Sequence, residues 1–254
     1  MGRRRLRCAA REDREPEMAE SNHTVRGFDA DLHMLADRIA QMGGMAESMV
    51  YDAVSALVRS DESLAGDIRA RDVVLDRLQR QIDDKAVRII ALRQPMAQDL
   101  REVVGAMRIA ADLERVGDLG KSIAKRIAVI SRESQPRSFY RGLEALADLA
   151  LGQLKDVLDA YATRSVERIP DMRDRDEAID SMYTSLFREL LTYMMEDPRN
   201  ISPCTHLLFC AKNIERIGDH ATNVAETVYY IATGRQLEVD RPKDDDSHKV
   251  MVRE

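Results

Sequence analysis

Apolar side chains recur along this chain at alternating intervals of three and four residues. The clearest stripes run over residues 28–56, 109–130 and 214–231. This spacing puts the apolar residues on one face of an α-helix, and its persistence over several heptads predicts long helices that pack nearly antiparallel in a bundle. Between the striped segments stand five prolines, which cost about 3 kcal/mol inside a helix and so mark predicted boundaries: Pro95, Pro136, Pro170, Pro198 and Pro203.

The pattern predicts six helices, at residues 26–59, 62–93, 96–132, 138–165, 171–196 and 201–234. We expect Ser60 or Asp61 to cap the N-terminus of the second helix. Residues 1–22 are predicted to form a disordered, arginine-rich arm, and residues 237–254 a flexible tail. A natural start at Met18 is a hypothesis that the mass of the native protein tests.

Composition agrees with an all-α fold and disfavours two classes of function. Of the 254 residues, 44% are hydrophobic, 33% charged and only 4% aromatic, and helix-forming types are abundant. The longest stretch without Asp, Glu, Lys or Arg has 12 residues, whereas a membrane-spanning helix needs about 20. The net charge of −6 disfavours binding to a nucleic-acid backbone.

The three cysteines do not predict a disulfide framework. Cys8, Cys204 and Cys210 are irregularly spaced, and no CxxC motif occurs. Free thiols of this kind are typical of a reducing cytoplasm, where we expect this protein. Cys204, His206 and Cys210 lack a fourth zinc ligand nearby, so we interpret them as packing residues.

An internal repeat is the strongest signal in the chain. Residues 109–125 (IAADLERVGDLGKSIAK) align without gaps with residues 210–226 (CAKNIERIGDHATNVAE) at an offset of 101. Both segments contain a Glu-Arg-x-Gly-Asp motif in an equivalent apolar setting. A repeat of about 100 residues that holds three helices predicts two tandem three-helix bundles, at residues 23–135 and 136–236.

Paired carboxylates recur in both copies of the repeat. Each motif spaces Glu and Asp one helical turn apart, and the preceding helix carries a pair of aspartates; the eight residues are Glu114, Asp118, Glu215, Asp219, Asp72, Asp76, Asp176 and Asp180. A helical wheel places the motif carboxylates opposite the apolar stripe, on the outside of the bundle, with bare surface expected at Gly117 and Gly218. If four carboxylates converge in each half, their oxygen atoms suit Mg²⁺, Mn²⁺, Ca²⁺ or iron. An arginine-paired, solvated helix surface is the alternative.

Arginines directly follow the two motif glutamates. Arg115 and Arg216 would either form a salt bridge to a neighbouring helix or anchor an acidic partner or an anion. The set of residues predicted to bind a partner consists of these two arginines with Asp112, Asn213 and Asn223.

Several enzyme classes fit the sequence poorly, and we expect no enzymatic activity. Residues 117–122 end like a P-loop, but Arg115 stands where that motif needs its first glycine, and no strand precedes it. A ferritin-like di-iron site needs two ExxH motifs, whereas the only ExxH pair, Glu20 and His23, lies in the predicted arm. A metal-dependent hydrolase that uses the surface carboxylate clusters is the open alternative, with His220 as its nearby base. A structural bundle without a ligand is a third interpretation.

The two motifs and their surroundings resemble the PhoU family of phosphate-signalling regulators. The resemblance rests on MGGMAESMVYDAV (42–54), ALRQPMAQDLREVVGAMRIAADLERVGDL (91–119) and FRELLTYMMEDPRNISPCTHLLFCAKNIERIGDHATN (187–223), and it covers residues 23–235. It implies two similar three-helix bundles in a cytoplasmic, often dimeric protein.

The resemblance also implies what the protein does. It implies a negative regulator of the phosphate-starvation response and of phosphate uptake, which contacts the ATPase of the phosphate ABC transporter (PstB-like) and a sensor histidine kinase (PhoR-like). It implies multinuclear metal at the motifs, with iron, zinc, manganese and magnesium as candidates; the implied ligands are Glu114, Asp118, Glu215 and Asp219, completed by the aspartate pairs. Two differences between the copies stand beside the motifs, so the sites are expected to differ in occupancy: Leu119 against His220, and Ser122 against Asn223.

Overall fold

The computed structural model describes residues 16–130, 137–167, 169 and 171–237. Within these residues the chain forms six α-helices: α1 (Pro16–Arg59), α2 (Glu62–Arg93), α3 (Gln98–Ile130), α4 (Ser138–Thr163), α5 (Met172–Glu196) and α6 (Ile201–Thr233). A 3₁₀ turn at Pro198–Asn200 leads into α6. The predicted all-α fold is confirmed.

Five of the six helices begin and end within two residues of their predicted bounds. The prediction is wrong for the first helix, because α1 begins at Pro16 rather than at residue 26. Proline suits the first turn of a helix, where its missing N–H would have no intrahelical partner, and the apolar stripe begins only at Phe28. The predicted disordered arm is therefore wrong for residues 16–22, whereas residues 1–15 and 238–254 lie outside the described residues.

Two neighbouring residues fix the turn between α1 and α2. Asp61 is the N-cap, since its Oδ1 accepts a hydrogen bond from the backbone N–H of Leu64 at 3.0 Å. Ser60 adopts a left-handed conformation with φ of 55°, which reverses the chain after α1. Of the two predicted caps, Asp61 is the one that the structure uses.

Each repeat is a three-helix bundle, and the two bundles pack side by side. Helices α1, α2 and α3 contact one another, as do α4, α5 and α6, and the bundles meet through α3 against α6 and α1 against α4. Helices α3 and α6 run antiparallel, since Gly105 near the start of α3 lies against Ile231 near the end of α6. Four helices, α1, α3, α4 and α6, therefore form a central layer, flanked by α2 and α5.

The predicted apolar stripes form the core. The stripe of α1 is fully buried from Ile39 to Ala56, and those of α3 and α6 are buried from Ile109 to Ile130 and from Ile214 to Val228. One polar side chain, Gln153 of α4, is fully buried among them, and its Nε2 donates a hydrogen bond to Thr222 Oγ1 at 2.7 Å. In the part of the chain that the structure describes, no helix is long and apolar enough to cross a membrane.

Candidate functional site

The first carboxylate cluster lies where α2 packs against α3. The Nζ atom of Lys121 lies 2.6 Å from Asp72 Oδ2, and it also pairs with Asp118 one turn back along α3. Burial raises the pKa of Glu114, and the negative charges of Asp118, Asp76 and Asp72 raise it further. The charges of the three aspartates therefore reach Glu114, and Lys121 bridges Asp72 and Asp118.

The second carboxylate cluster lies between α5 and α6. Lys212 Nζ donates a hydrogen bond to Glu215 Oε1 at 2.8 Å. The other oxygen of this carboxyl, Oε2, is buried without a hydrogen-bond partner among the described residues. Burial raises the pKa of Glu215 to about 7; Lys212 opposes this rise, whereas Asp219 and Asp180 add to it. Glu215 therefore changes its charge close to neutral pH.

Equivalent positions pair in both repeats, but with different chemistry. Thr222 lies 101 residues after Lys121, and Asp176 lies 104 residues after Asp72. In the first repeat Lys121 pairs with Asp72. In the second repeat, at the equivalent positions, Thr222 Oγ1 donates a hydrogen bond to Asp176 Oδ1 at 3.0 Å. A neutral hydroxyl therefore replaces an ammonium group in the second cluster, where Lys212, three residues before Glu215 on the same helix, pairs with that glutamate.

The expectation that the motif carboxylates face outward is wrong for Glu215. Glu215 is only 5% exposed, and Asp72 of the first cluster is only 6% exposed. The side chain of Glu114 is 19% exposed and Asp118 is half-buried, whereas Asp219 faces solvent. The wheel assumed one buried face, but α3 contacts α1, α2 and α6, and α6 contacts α3, α4 and α5. A helix with three neighbours buries more than one face.

The two motif glycines do not leave bare surface, contrary to our expectation. A Cβ atom at Gly218 would lie 2.9 Å from Ile179 Cδ1, and one at Gly117 would overlap the Leu75 side chain. Both glycines are buried. They permit a close approach of α2 to α3 and of α5 to α6, and this approach brings the carboxylates of paired helices together.

The motif arginines lie at the surface. The Arg115 side chain is 63% exposed, and its Nε lies 3.8 Å from Glu114 Oε2 on the same helix, so the bridge is not to a neighbouring helix. Arg216 is exposed and Asn213 is half-buried. Both arginines are therefore accessible to a partner.

The other predicted partner-binding residues lie at the junction of the two repeats. His220 Nδ1 lies 2.9 Å from Asp112 Oδ1, and Asn223 Nδ2 donates a hydrogen bond to the same oxygen at 3.4 Å. These contacts join α6 to α3. They direct His220 towards Asp112, so the geometry adds no support for His220 as a base beside Glu215.

Two lysines escaped the sequence analysis. Lys121 follows Asp118 by three residues and Glu114 by seven, so it shares their helix face, and this spacing was visible in the sequence. Lys212 stands where the first repeat has Ala111. The sequence signal for Lys212 was this difference between the repeats. Its partner could be predicted from the spacing of three residues to Glu215.

The cysteines, His206 and the segment that resembles the end of a P-loop have packing roles in the helices. Cys204 and Cys210 are fully buried free thiols, and burial raises the pKa of Cys210 to about 12. His206 Nδ1 lies 3.1 Å from Arg126 Nη1. Residues 117–122, which resemble the end of a P-loop, lie inside α3.

The clusters fit a hard metal ion in their donor chemistry. In each repeat, aspartates of two helices raise the pKa of the motif glutamate, and the buried Oε2 of Glu215 has no partner in the described chain. Among the described residues, however, no group of three or more His, Cys, Asp or Glu is already arranged to hold an ion. The ammonium groups of Lys121 and Lys212 supply positive charge there, and a metal ion would take over that role.

Comparison with known proteins gives consistent matches along the chain. A family model described as "PhoU domain" matches residues 39–127 and 143–228, one match in each repeat. A protein from Rhizobium meliloti named phosphate-specific transport system accessory protein PhoU homolog is 64% identical over 223 residues, which cover 88% of this chain and 94% of the relative. A protein of the same name from Caulobacter vibrioides is 49% identical, covering 89% of this chain and 98% of the relative.

Solved structures agree with the sequence matches. The crystal structure of PhoU from Pseudomonas aeruginosa superimposes with a TM-score of 0.79 at 36% identity and covers 82% of this chain and 100% of its own. The phosphate transport system regulatory protein PhoU from Streptococcus pneumoniae superimposes with a TM-score of 0.75 at 28% identity, covering 84% and 100%. With both repeats matched and the fold shared, this chain belongs to the PhoU family.

Proposed function

We propose that this protein is a cytoplasmic, non-catalytic adaptor that represses the phosphate-starvation response and phosphate uptake. The observation that carries the proposal is the match of both repeats to relatives named as accessory proteins of the phosphate-specific transport system. Its proposed partners are the PstB-like ATPase of the phosphate transporter and a PhoR-like sensor histidine kinase. We propose that it acts as a homodimer.

The exposed motif arginines support contact with such partners. Arg115 and Arg216 occupy equivalent positions of the two repeats, 101 residues apart, and both reach solvent beside a carboxylate cluster. Guanidinium groups bind carboxylates in a bidentate manner. The two repeats therefore present two similar anchoring points, which suits a protein that contacts more than one partner.

We further propose that each carboxylate cluster binds divalent or trivalent metal, with iron, zinc, manganese and magnesium as candidates. The residues that would hold it are Glu114, Asp118, Asp72 and Asp76 in the first repeat, and Glu215, Asp219, Asp176 and Asp180 in the second. A bound ion would supply fixed positive charge that links α2 to α3 and α5 to α6. Oxygen ligands favour hard cations, and the desolvated Glu215 carboxyl gains most from such a charge.

Alkaline phosphatase activity in phosphate-rich medium tests the regulatory role. Cells that lack the gene are expected to show high activity, which a plasmid copy of the gene returns to the low wild-type level. Arg115→Ala combined with Arg216→Ala is expected to fail in this complementation, whereas Arg141→Ala, an exposed arginine of α4, should succeed. Low activity in the deletion strain itself would contradict the regulatory proposal.

Metal content of the purified protein tests the second proposal. Glu114→Gln with Asp118→Asn should remove metal from the first cluster only, and Glu215→Gln with Asp219→Asn from the second only. The matched control is Glu144→Gln with Asp148→Asn, an exposed carboxylate pair with the same spacing on α4, which should leave the content unchanged. Equal metal content in all of these variants, measured by elemental analysis, would refute metal binding at the clusters.

A further inference from the structure

A long cavity opens between α1 and α4. Residues from the start of α3 and the end of α6 also line it. Its volume is about 1000 Å³, and its lining on α1 extends from Asp29 to Glu47. At 1.5 Å per helical residue, this stretch is about 27 Å long. The cavity is therefore a groove along the central layer of the fold, formed by both repeats and separate from the carboxylate clusters.

The floor of this groove is apolar. It consists of side chains from three helices of the central layer: Leu32 and Leu35 of α1, Leu158 of α4, and Val228 and Ile231 of α6. At Gly44 the floor is open, since a Cβ atom placed there would meet no atom within 4 Å. An apolar side chain entering the groove would thus find both contacts and space.

The rim of the groove is acidic. Six carboxylates line it, against the two basic side chains of Lys155 and Arg164; the acids are Asp29, Asp37, Glu47, Asp99, Glu102 and Asp159. Arg164 is already paired with Glu102 at 3.0 Å. The other five carboxylates have no ion-pair partner within the described chain. The rim therefore carries an uncompensated negative charge above an apolar floor.

The dimensions favour a helix over a small molecule. The groove is about 27 Å long, which is the length of an 18-residue helix at 1.5 Å per residue. The apolar face of such a helix would enter, while its opposite face stayed in water. Lysine or arginine at the two flanks of the apolar face would extend to the rim carboxylates.

We infer that this groove docks a basic amphipathic helix of a partner protein, with apolar residues every three or four positions against the floor and lysine or arginine against the rim. This inference deepens the proposed adaptor function and rests on it. A second copy of this chain is a weaker candidate, because a net charge of −6 opposes its approach to an acidic rim.

A synthetic peptide provides the direct test on the full-length protein. The probe is an 18-residue amide of Lys, Leu and Ala with leucine at every third or fourth position, labelled for fluorescence anisotropy. The same peptide with Glu in place of Lys is the charge control. The basic peptide should bind and the acidic one should not, and binding should weaken as salt screens the exposed rim.

Two glycine variants locate the binding site. Gly44→Leu fills the groove, whereas Gly66→Leu adds the same side chain at another open helical position, on α2, which contacts neither α4 nor α6. Both replacements favour helix formation, so both variants should fold. We expect Gly44→Leu to weaken binding by about tenfold or more and Gly66→Leu to leave it unchanged.

Other outcomes would overturn the inference. Equal affinity in the two glycine variants, or no binding of the basic peptide to the wild type, would refute a helix-docking groove. If the peptide fails to bind and Gly44→Leu alone dissociates a dimer in analytical ultracentrifugation, the groove holds a second copy instead. The two proposals can fail separately. If only the groove inference is wrong, the peptide does not bind, but the wild-type gene still represses alkaline phosphatase. If the adaptor function is wrong, the wild-type gene does not repress alkaline phosphatase, even when the peptide binds.

Discussion

Glu215 makes the stability of this protein depend on pH in a way that one substitution should remove. Its carboxyl is almost completely buried, with one oxygen bonded to Lys212 and the other without a partner in the described chain. Burial raises its pKa from 4.5 to about 7. The perturbation that we consider is Glu215→Gln, which keeps the shape of the side chain and removes its ionisation.

The size of the effect follows from the pKa. One pKa unit corresponds to about 1.4 kcal/mol, so a rise from 4.5 to about 7 means that ionising Glu215 costs the folded state about 3 kcal/mol. Because the folded pKa is the higher one, this stability is fully present below pH 4.5 and is lost as the pH rises through about 7. The pKa of about 7 already includes the opposing attraction of Lys212, so this ion pair is not subtracted a second time.

Urea unfolding followed by circular dichroism measures this effect. Both proteins are treated with a chelator and unfolded at pH 5 and at pH 8. The stability difference is the free energy of unfolding of Glu215→Gln minus that of the wild type. It should be larger at pH 8 than at pH 5, by about 2–3 kcal/mol. The difference isolates Glu215, because Glu114, whose pKa is also raised, titrates in both proteins. Glu144→Gln, at an exposed position of α4, should follow the wild type within about 0.5 kcal/mol at each pH.

Parallel pH profiles for Glu215→Gln and the wild type would refute this reasoning. They would mean that the Glu215 carboxyl ionises in its ordinary range, because it is solvated in the folded protein or because Lys212 fully offsets the cost of burial. A profile with the opposite slope would mean that the attraction of Lys212 exceeds the cost of burial.

Three further predictions concern the packing that positions the clusters. Both Gly117→Ala and Gly152→Ala gain helix propensity, but only the Cβ of the first would overlap Leu75, whereas Gly152 is an open position. In urea unfolding, Gly117→Ala should therefore be less stable than Gly152→Ala by about 1–3 kcal/mol. Asp61→Ala should cost about 1 kcal/mol through loss of the α2 cap, seen as a lower melting temperature that Asp61→Ser restores. Asp112→Ala should cost about 1–3 kcal/mol, because His220 and Asn223 lose their acceptor between the repeats, and a mutant cycle with His220→Ala should show coupling in thermal melts.

The helices and their order were predictable because their signals are local. The alternation of threes and fours places Ile109 to Ile130 on one face whatever α3 packs against. Asp61 is a good N-cap in any context, since its side chain bonds to an amide three residues away. The sequence pattern did not predict the start of α1, because residues 16–25 carry no apolar stripe. There, helix propensity and the adjoining helical turns determine where α1 begins.

The carboxylate pairs themselves were also visible in the sequence, because duplication marked the same positions twice. Their environment was not. Whether Glu215 lies in water or between helices depends on how many neighbours α6 has, and that number is a property of the whole fold. The same holds for Gly117 and Gly218, whose neighbours Leu75 and Ile179 come from other helices.

By itself, then, the sequence determined an all-α chain with two copies of a three-helix unit and paired carboxylates at equivalent positions, because periodicity and repetition are carried by the order of residues. Only the tertiary structure decided which carboxylates are buried, that Lys121 of α3 also pairs with Asp72 of α2, and that an acidic groove lies between α1 and α4. The physical reason is that burial, pKa and complementary charge depend on distances between residues far apart in the chain.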